Sequence, residues 1–198
     1  MVKQDLKLHA VVAPTQVVVA SAYDTDGKPD ACTLAFYMVS SHKPPCITIA
    51  INATQKRKTL KSILERKAFT VGFPSCTQVN EADYLGVESG YDADKLFNLG
   101  LTTMKAKKVD APIINEFLLT LECQLIHHVT VGSHTQLTGA VKNIQADQSI
   151  LNDQGKILLD KLQPIIYDEE QLSYLKIGDK ISDAFKPGIR LKNSFSKR

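Results

Sequence analysis

The chain has 198 residues with 43% apolar positions, which fits a single domain, residues 1–198, with a sizeable core. The formal net charge is only +3, and basic residues are not interleaved with aromatic ones, which argues against a nucleic-acid-binding protein. The sequence has no run of about 18 apolar residues and no apolar leader, so it predicts a cytoplasmic protein rather than a membrane or secreted one.

The first part of the chain has the pattern of three strands. Residues 11–22 are apolar and β-branched, turn residues follow, and residues 31–39 return as the second strand of a hairpin. Residues 41–45 include two prolines and form the next connection, and residues 47–51 form the third strand. A short amphipathic helix then follows, with Thr54 as its expected N-cap.

The middle of the chain continues with a strand at residues 69–73, stopped by Pro74, and with two short helices within residues 77–99. Residues 117–131 and 135–146 form two long strands, joined by the small-residue turn of residues 132–134.

The last part of the chain has a short helical patch at residues 157–162, a strand at residues 164–167 and a loosely ordered basic end. Strands outnumber helices, and successive hairpins indicate antiparallel pairing. We therefore expect a mostly β fold, a partly closed antiparallel Greek-key barrel with short helices, whose core spans about residues 10–180.

The cysteines predict neither a metal site nor a disulfide framework. They are widely and irregularly spaced, with no CxxC pair and no histidine at metal-ligand spacing. We interpret them as reduced, mostly buried side chains: Cys32, Cys46, Cys76 and Cys123.

Small polar residues interrupt the second and third strands. They are either ordinary strand-end and turn residues or donors that face a polar ligand along the sheet. The residues concerned are Thr33, Ser40, Ser41, Thr48 and Asn52.

The start of the helix after Asn52 predicts an anion site. No glycine-rich phosphate loop occurs, so a phosphate must be held by side chains. Lys56, Arg57 and Lys58 fall in the expected first turn, where the helix dipole disfavours cations unless an anion is bound. The Arg57 guanidinium and the Thr59 hydroxyl would converge on that anion. The alternative is a set of solvated charges on an exposed helix end.

A second polar segment, residues 89–95, reads SGYDADK. By itself it indicates a helix start, with Asp92 as the N-cap and Lys95 as a surface charge. The acidic residues 168–170 follow the strand at residues 164–167, and we interpret them as a solvated turn.

Taken together, five stretches resemble the flavin reductase-like family of FMN-binding split barrels, in particular its flavoredoxin-type branch. The resemblance covers about residues 10–180. In chain order the stretches are APTQVVVASAYDTDGKPDACTLAFYMVSSHKPPCITIAI, RKT, YLGVESGYDADKL, APIINEFLLTLEC and VGSHTQLTGAV.

This resemblance implies an FMN-binding split barrel that forms a homodimer, with FMN at or near the subunit interface. FMN would be reduced by NADH or NADPH, or the protein would act as an electron carrier. His134 is the candidate catalytic residue, close to the flavin or the nicotinamide. The resemblance and the helix argument together assign the cofactor to Thr33, Leu34, Ala35, Phe36, Ser40, Ser41, Asn52, Ala53, Arg57, Lys58, Thr59, Ser89, Gly90 and Lys95.

The chain departs from the pattern of the family it resembles at three of the aligned positions. Many members of that family have Asn where this chain has Asp30, a tryptophan or similar residue near Phe36, and Ser or Arg where this chain has Asn52. These differences affect the expected ring pocket more than the expected phosphate site. Three functions stay open: an NAD(P)H:flavin oxidoreductase, which is the leading hypothesis, an electron carrier without nicotinamide turnover, and a module that binds some other anion with no flavin.

Overall fold

The structure, a computed structural model, describes residues 1–8 and 14–195, apart from the side chains of residues 193 and 194. Residues 11–13, the start of the first predicted strand, lie outside the described residues. The strands are β1 (Thr15–Gln16), β2 (Val18–Tyr23), β3 (Pro29–Leu34), β4 (Tyr37–His42), β5 (Pro45–Asn52), β6 (Ala68–Gly72), β7 (Thr103–Lys105), β8 (Pro112–Ile114), β9 (Leu119–Val131), β10 (His134–Ala146), β11 (Ile166–Asp168) and β12 (Ser173–Leu175). The helices are α1 (Lys58–Arg66), α2 (Val79–Val87), α3 (Lys95–Asn98), α4 (Leu159–Leu162) and α5 (Lys186–Phe195), and single 3₁₀ turns occur at Cys76–Gln78 and Gln148–Ile150.

Seven strands form one antiparallel sheet in the order β3-β2-β6-β9-β10-β5-β4. Its two edge strands, β3 and β4, are consecutive in the chain and are joined only by Ala35 and Phe36. A two-residue link can connect opposite edges only if the sheet curls until they meet. The Ala50 N–H donates to the Phe36 carbonyl at 2.9 Å and ties this link to β5. The predicted mostly β, partly closed barrel is confirmed, and its split lies at this link.

Alternation along the strands divides the core into an inside and an outside. Val18 of β2 points into the barrel with the largest buried cluster, whereas Val19 points outward and packs with Leu85 of α2 and Leu96 of α3. The outward cluster holds α2 and α3 against β3, next to the barrel's split. None of the described helices is long and apolar enough to span a membrane.

The predicted hairpins, the strand at residues 69–73 and the two helices within residues 77–99 are confirmed. The single strand predicted at residues 31–39 is wrong, because the chain leaves one sheet edge after Leu34 and enters the other at Tyr37. The basic end, expected to be loosely ordered, contains α5. Strands β7, β8 and β12 were not predicted, since three residues are too few to show a period.

Candidate functional site

A cleft of about 370 Å³ lies at the barrel's split. The ends of β3 and β5 and the start of β10 form one side of it, and residues of β11 and the turn that follows complete it. The lining residues are Cys32, Thr33, Leu34, Ala35, Phe36, Ala50, Ile51, Asn52, Arg57, His134, Tyr167 and Glu169. The structure thus brings seven of the predicted site residues together: Thr33, Leu34, Ala35, Phe36, Asn52, Arg57 and His134.

A tight hairpin positions His134. Gly132 adopts a φ of 56° in the turn between β9 and β10, a conformation that glycine tolerates without a steric penalty. His134 then pairs with Asn52 across the sheet, so both side chains reach the cleft. Its Nδ1 lies 2.9 Å from the Ser133 hydroxyl, and the centroid of its ring lies 5.2 Å from that of Phe36.

Tyr167 of β11 supplies a further aromatic ring to the cleft lining. Its ring centroid lies 5.9 Å from that of Tyr174 in β12, whose hydroxyl donates to Asp83 Oδ1 at 2.7 Å. Burial raises the pKa of Tyr174, so this hydroxyl keeps its proton and remains a donor. The short β11–β12 hairpin is thereby anchored to α2, which fixes Tyr167 beside the cleft.

Arg57 is the one Lys or Arg among the residues that line the cleft. It occupies the N-cap position of α1, and its Nη2 donates to Gln55 Oε1 at 2.8 Å while its Nη1 donates to the Glu88 carbonyl at 3.4 Å. A guanidinium has five N–H donors, so three more are able to meet an anion. These two hydrogen bonds hold Arg57 at the cleft and leave it able to bind an anion.

The cation cluster predicted in the first turn of α1 is wrong in its geometry. The helix begins at Lys58 with Arg57 at the N-cap position, so Lys56 and the predicted cap Thr54 both precede it. The Thr54 N–H and hydroxyl donate to Asn52 Oδ1 instead. Lys58 Nζ pairs with Asp24 Oδ2 at 2.8 Å, and this hydrogen bond raises the pKa of Lys58. Arg57 alone of the three cations therefore faces the cleft.

Lys95 and Thr59 meet at a buried carboxylate instead of in the cleft. The Thr59 hydroxyl donates to Asp30 Oδ2 at 2.5 Å, and Lys95 Nζ lies 3.4 Å from Asp30 Oδ1 and donates to the Ala31 carbonyl. Lys95 is only 3% exposed, so the surface charge expected from its segment is wrong. Gly90 permits this packing, because a Cβ there would lie 2.2 Å from Asp30 Oδ1.

The N-cap of α3 is Asp94 and not Asp92, the residue that the sequence predicted. The Asp94 side chain accepts a hydrogen bond from the Phe97 N–H.

The remaining predicted residues lie outside the cleft lining. Ser40 and Ser41 stand in β4, where Ser41 pairs with Cys46, about 13 Å along β5 from Ala50. The Ala53 N–H donates to the Ser133 carbonyl at 2.8 Å. The Ser89 hydroxyl donates to the Lys56 carbonyl at 3.2 Å.

The hydroxyl of Thr33 is also committed within the protein. It donates to the Ala82 carbonyl of α2 at 2.5 Å, so its proton is not directed at a ligand in the cleft. The neighbouring Cys32 lines the cleft, and burial raises the pKa of its thiol to about 11. It is therefore protonated near neutral pH and offers no thiolate nucleophile.

Sequence reasoning missed Tyr167 and Glu169. The acidic residues 168–170 do form a turn after β11, but Glu169 is half-buried and lines the cleft, so the solvated interpretation is wrong for this residue. Its Oε2 is buried and has no hydrogen-bond partner among the described residues. A buried unpaired carboxylate oxygen depends on tertiary contacts, and no local pattern of residues 164–170 signals it.

Comparison with known proteins gives a family match over most of the chain. Residues 11–175 match the model of the Flavin reductase like domain. An uncharacterised protein of Bacillus subtilis (strain 168), YwrF, is 25% identical over 166 residues, which cover 79% of this chain and 81% of that protein.

Two solved structures resemble the whole fold. The flavoredoxin of Desulfovibrio vulgaris (Miyazaki F) is 33% identical, with a TM-score of 0.88, over 94% of this chain and 100% of that one. The flavoredoxin from Methanosarcina acetivorans is 26% identical, with a TM-score of 0.86, over 96% of this chain and 100% of that one. The predicted split-barrel architecture is thereby confirmed.

Proposed function

The chain belongs to the flavin reductase-like family, and from this premise we propose that it is an FMN-binding NAD(P)H:flavin oxidoreductase. The observation that carries the proposal is the cleft at the barrel's split, which combines aromatic and apolar walls with a single cation, Arg57. Aromatic and apolar walls suit the isoalloxazine ring, and a guanidinium suits the phosphate. When bound, FMN supplies the hydride chemistry, accepting hydride from the nicotinamide.

The chain's own residues would bind and orient the cofactor. The link at Ala35 and Phe36, together with Leu34, would contact the ring, and Arg57 would bind the phosphate. Backbone N–H groups near Ala35 and Asn52 would stabilise the negative charge of the reduced ring. His134, held by Ser133, would hydrogen-bond the flavin edge or the nicotinamide amide.

Thr59 and Lys95, which the sequence also assigned to the phosphate, are already bonded to a carboxylate of the protein. Their polar atoms already contact Asp30, so they would reach a phosphate only after giving up that carboxylate. We therefore propose Arg57 as the main phosphate-binding residue.

Replacing Arg57 by alanine is expected to weaken FMN binding about 10- to 100-fold, since one charge-assisted hydrogen bond contributes about 1.5 to 3 kcal/mol. Riboflavin lacks the phosphate, so its affinity should change little. Flavin fluorescence titration measures both constants. Lys56→Ala is the matched control, because it removes a neighbouring exposed cation that does not line the cleft. Equal losses for FMN and riboflavin would contradict the assignment.

The likeness to two flavoredoxins favours a second candidate function, an electron carrier without nicotinamide turnover. The two functions differ in one measurement. If the protein is a reductase, NADH or NADPH should bleach the visible absorbance of the bound FMN under anaerobic conditions, and steady oxidation should follow when oxygen or free flavin is added. Bound FMN that neither nucleotide reduces would establish the carrier instead.

We further propose that the protein is a homodimer. Pairing of β6 with β9 ends at Gln124, so among the described strands none covers that edge of residues 126–131. Large apolar side chains are exposed there, on edge strand β4 and along the tail: Met38, Val39, Ile126, Val129, Val131, Tyr174, Leu175, Ile177, Ile181 and Phe185. An open strand edge beside exposed apolar groups recruits another chain.

A second copy would bury these groups in an interface of about 2,000 Å² or more, as in obligate dimers. Light scattering should give a mass twice that of one chain, unchanged on dilution to the micromolar range. A monomer that retains FMN at that concentration would refute the homodimer.

A further inference from the structure

Glu169 differs from its acidic neighbours in the turn after β11. Asp168 accepts hydrogen bonds from the backbone N–H groups of Glu170 and Gln171, and these bonds stabilise the turn. Glu170 is exposed to solvent. Glu169 instead lines the cleft, with a buried Oε2 for which the described residues supply no donor.

A carboxylate oxygen removed from water without a donor is destabilising, and such groups are rare in native proteins. Arg57 is the cation that lines the same cleft, yet its hydrogen bonds go to Gln55 and to the Glu88 carbonyl. An N–H or O–H group of a molecule bound in the cleft would supply the donor that Glu169 Oε2 lacks.

We infer that Glu169 is a flavin-binding residue whose carboxylate accepts a hydrogen bond from the bound flavin, an inference that rests on the proposed function. The isoalloxazine N3–H and the ribityl hydroxyls are the donors that a flavin offers. Riboflavin carries all of them and lacks the phosphate, so it isolates this contact from that of Arg57.

The charge of Glu169 has a second consequence. Reduction by hydride adds two electrons and one proton, so the flavin gains one negative charge. A carboxylate in contact with the flavin opposes that charge and holds the reduction potential low. Glu169→Gln keeps the size of the side chain and removes its charge. The reduced flavin should then bind about tenfold more tightly relative to the oxidised form, a positive shift of about 30 mV for a two-electron couple.

The experiment combines three measurements on the full chain. Glu169→Ala should weaken riboflavin binding at least tenfold in a fluorescence titration, and Glu169→Gln should shift the potential of bound FMN as stated. The thermal midpoint of the flavin-free protein should not fall in either variant, because the lost oxygen had no partner. Glu170→Gln is the control for net charge and should leave affinity and potential at their wild-type values.

Wild-type riboflavin affinity in Glu169→Ala, or an unchanged potential in Glu169→Gln, would overturn the inference. A lower thermal midpoint in the flavin-free variants would also overturn it, since Glu169 would then support the fold. Failure of the proposed function looks different, because the wild-type protein itself would then bind neither FMN nor riboflavin.

Discussion

Replacing Lys95 by methionine is expected to destabilise the flavin-free protein by about 3 to 5 kcal/mol, the cost of leaving a buried charge without its partner. Asp30 and Lys95 are 4% and 3% exposed, and Thr59 is the one other side chain that the structure shows bonded to this carboxylate. Methionine is about as large as lysine, so the loss of stability comes from the missing charge and not from a cavity. Urea unfolding at neutral pH measures the free energy of unfolding of both proteins.

The double variant Asp30→Asn/Lys95→Met should recover much of this loss, because it leaves no unpaired charge. Lys28→Met is the matched control. The Lys28–Asp94 pair is shorter, at 2.9 Å, but its side chains are 53% and 39% exposed, so its loss should cost less than about 1 kcal/mol. Similar losses in Lys28→Met and Lys95→Met would show that burial does not set the strength of these pairs.

This buried pair also shows where sequence reasoning ends. Apolar alternation predicts the hairpins, because each strand carries its own pattern, and the hairpins together predict an antiparallel barrel. The partner of a charge carries no such local signal. Lys95 resembles an exposed charge in its own segment, but it is buried where that segment packs against Asp30, 65 residues earlier.

The candidate site also contains residues that the sequence predicts and residues that it does not. The resemblance to the family predicts the residues at the ends of β3 and β5, whereas the polar groups that interrupt the apolar runs there leave two interpretations open. Arg57 was predicted to bind an anion together with Lys58, but Asp24, 34 residues earlier, pairs with Lys58. Glu169 comes from a turn more than 100 residues from Arg57, and no pattern in either segment indicates that the two share a cleft.

Glu122 is a second buried charge, and hydrogen bonds rather than a cation stabilise it. It lies fully buried in β9, and its oxygens accept from the Lys108 N–H at 2.6 Å and from the Asn143 and Gln145 side chains at 2.7 Å each. Burial acts to raise its pKa, but these donors outweigh burial and hold the pKa below the ordinary 4.5. The carboxylate thus joins β9 to β10 and to the loop between β7 and β8.

Glu122→Gln is expected to destabilise the protein by about 2 to 4 kcal/mol at pH 7. Its NH₂ group replaces a carboxylate oxygen, so at least one of the surrounding donors loses its acceptor and faces another donor. Since the folded pKa is depressed, the carboxylate's contribution is complete above the ordinary pKa of 4.5 and is lost as the pH falls through the folded value. The difference between wild type and variant should therefore be largest near neutral pH and shrink below about pH 4.5.

Urea unfolding at several pH values between 7 and 3 measures this difference. Glu65→Gln, which alters an exposed carboxylate paired at 3.7 Å with Lys61, should change stability by less than about 0.5 kcal/mol at every pH. If the free energies of unfolding of wild type and Glu122→Gln differ by the same amount at every pH, the loss of stability comes from altered packing. If the difference disappears at acidic pH, the loss comes from the ionised Glu122 carboxylate and its three hydrogen-bond donors.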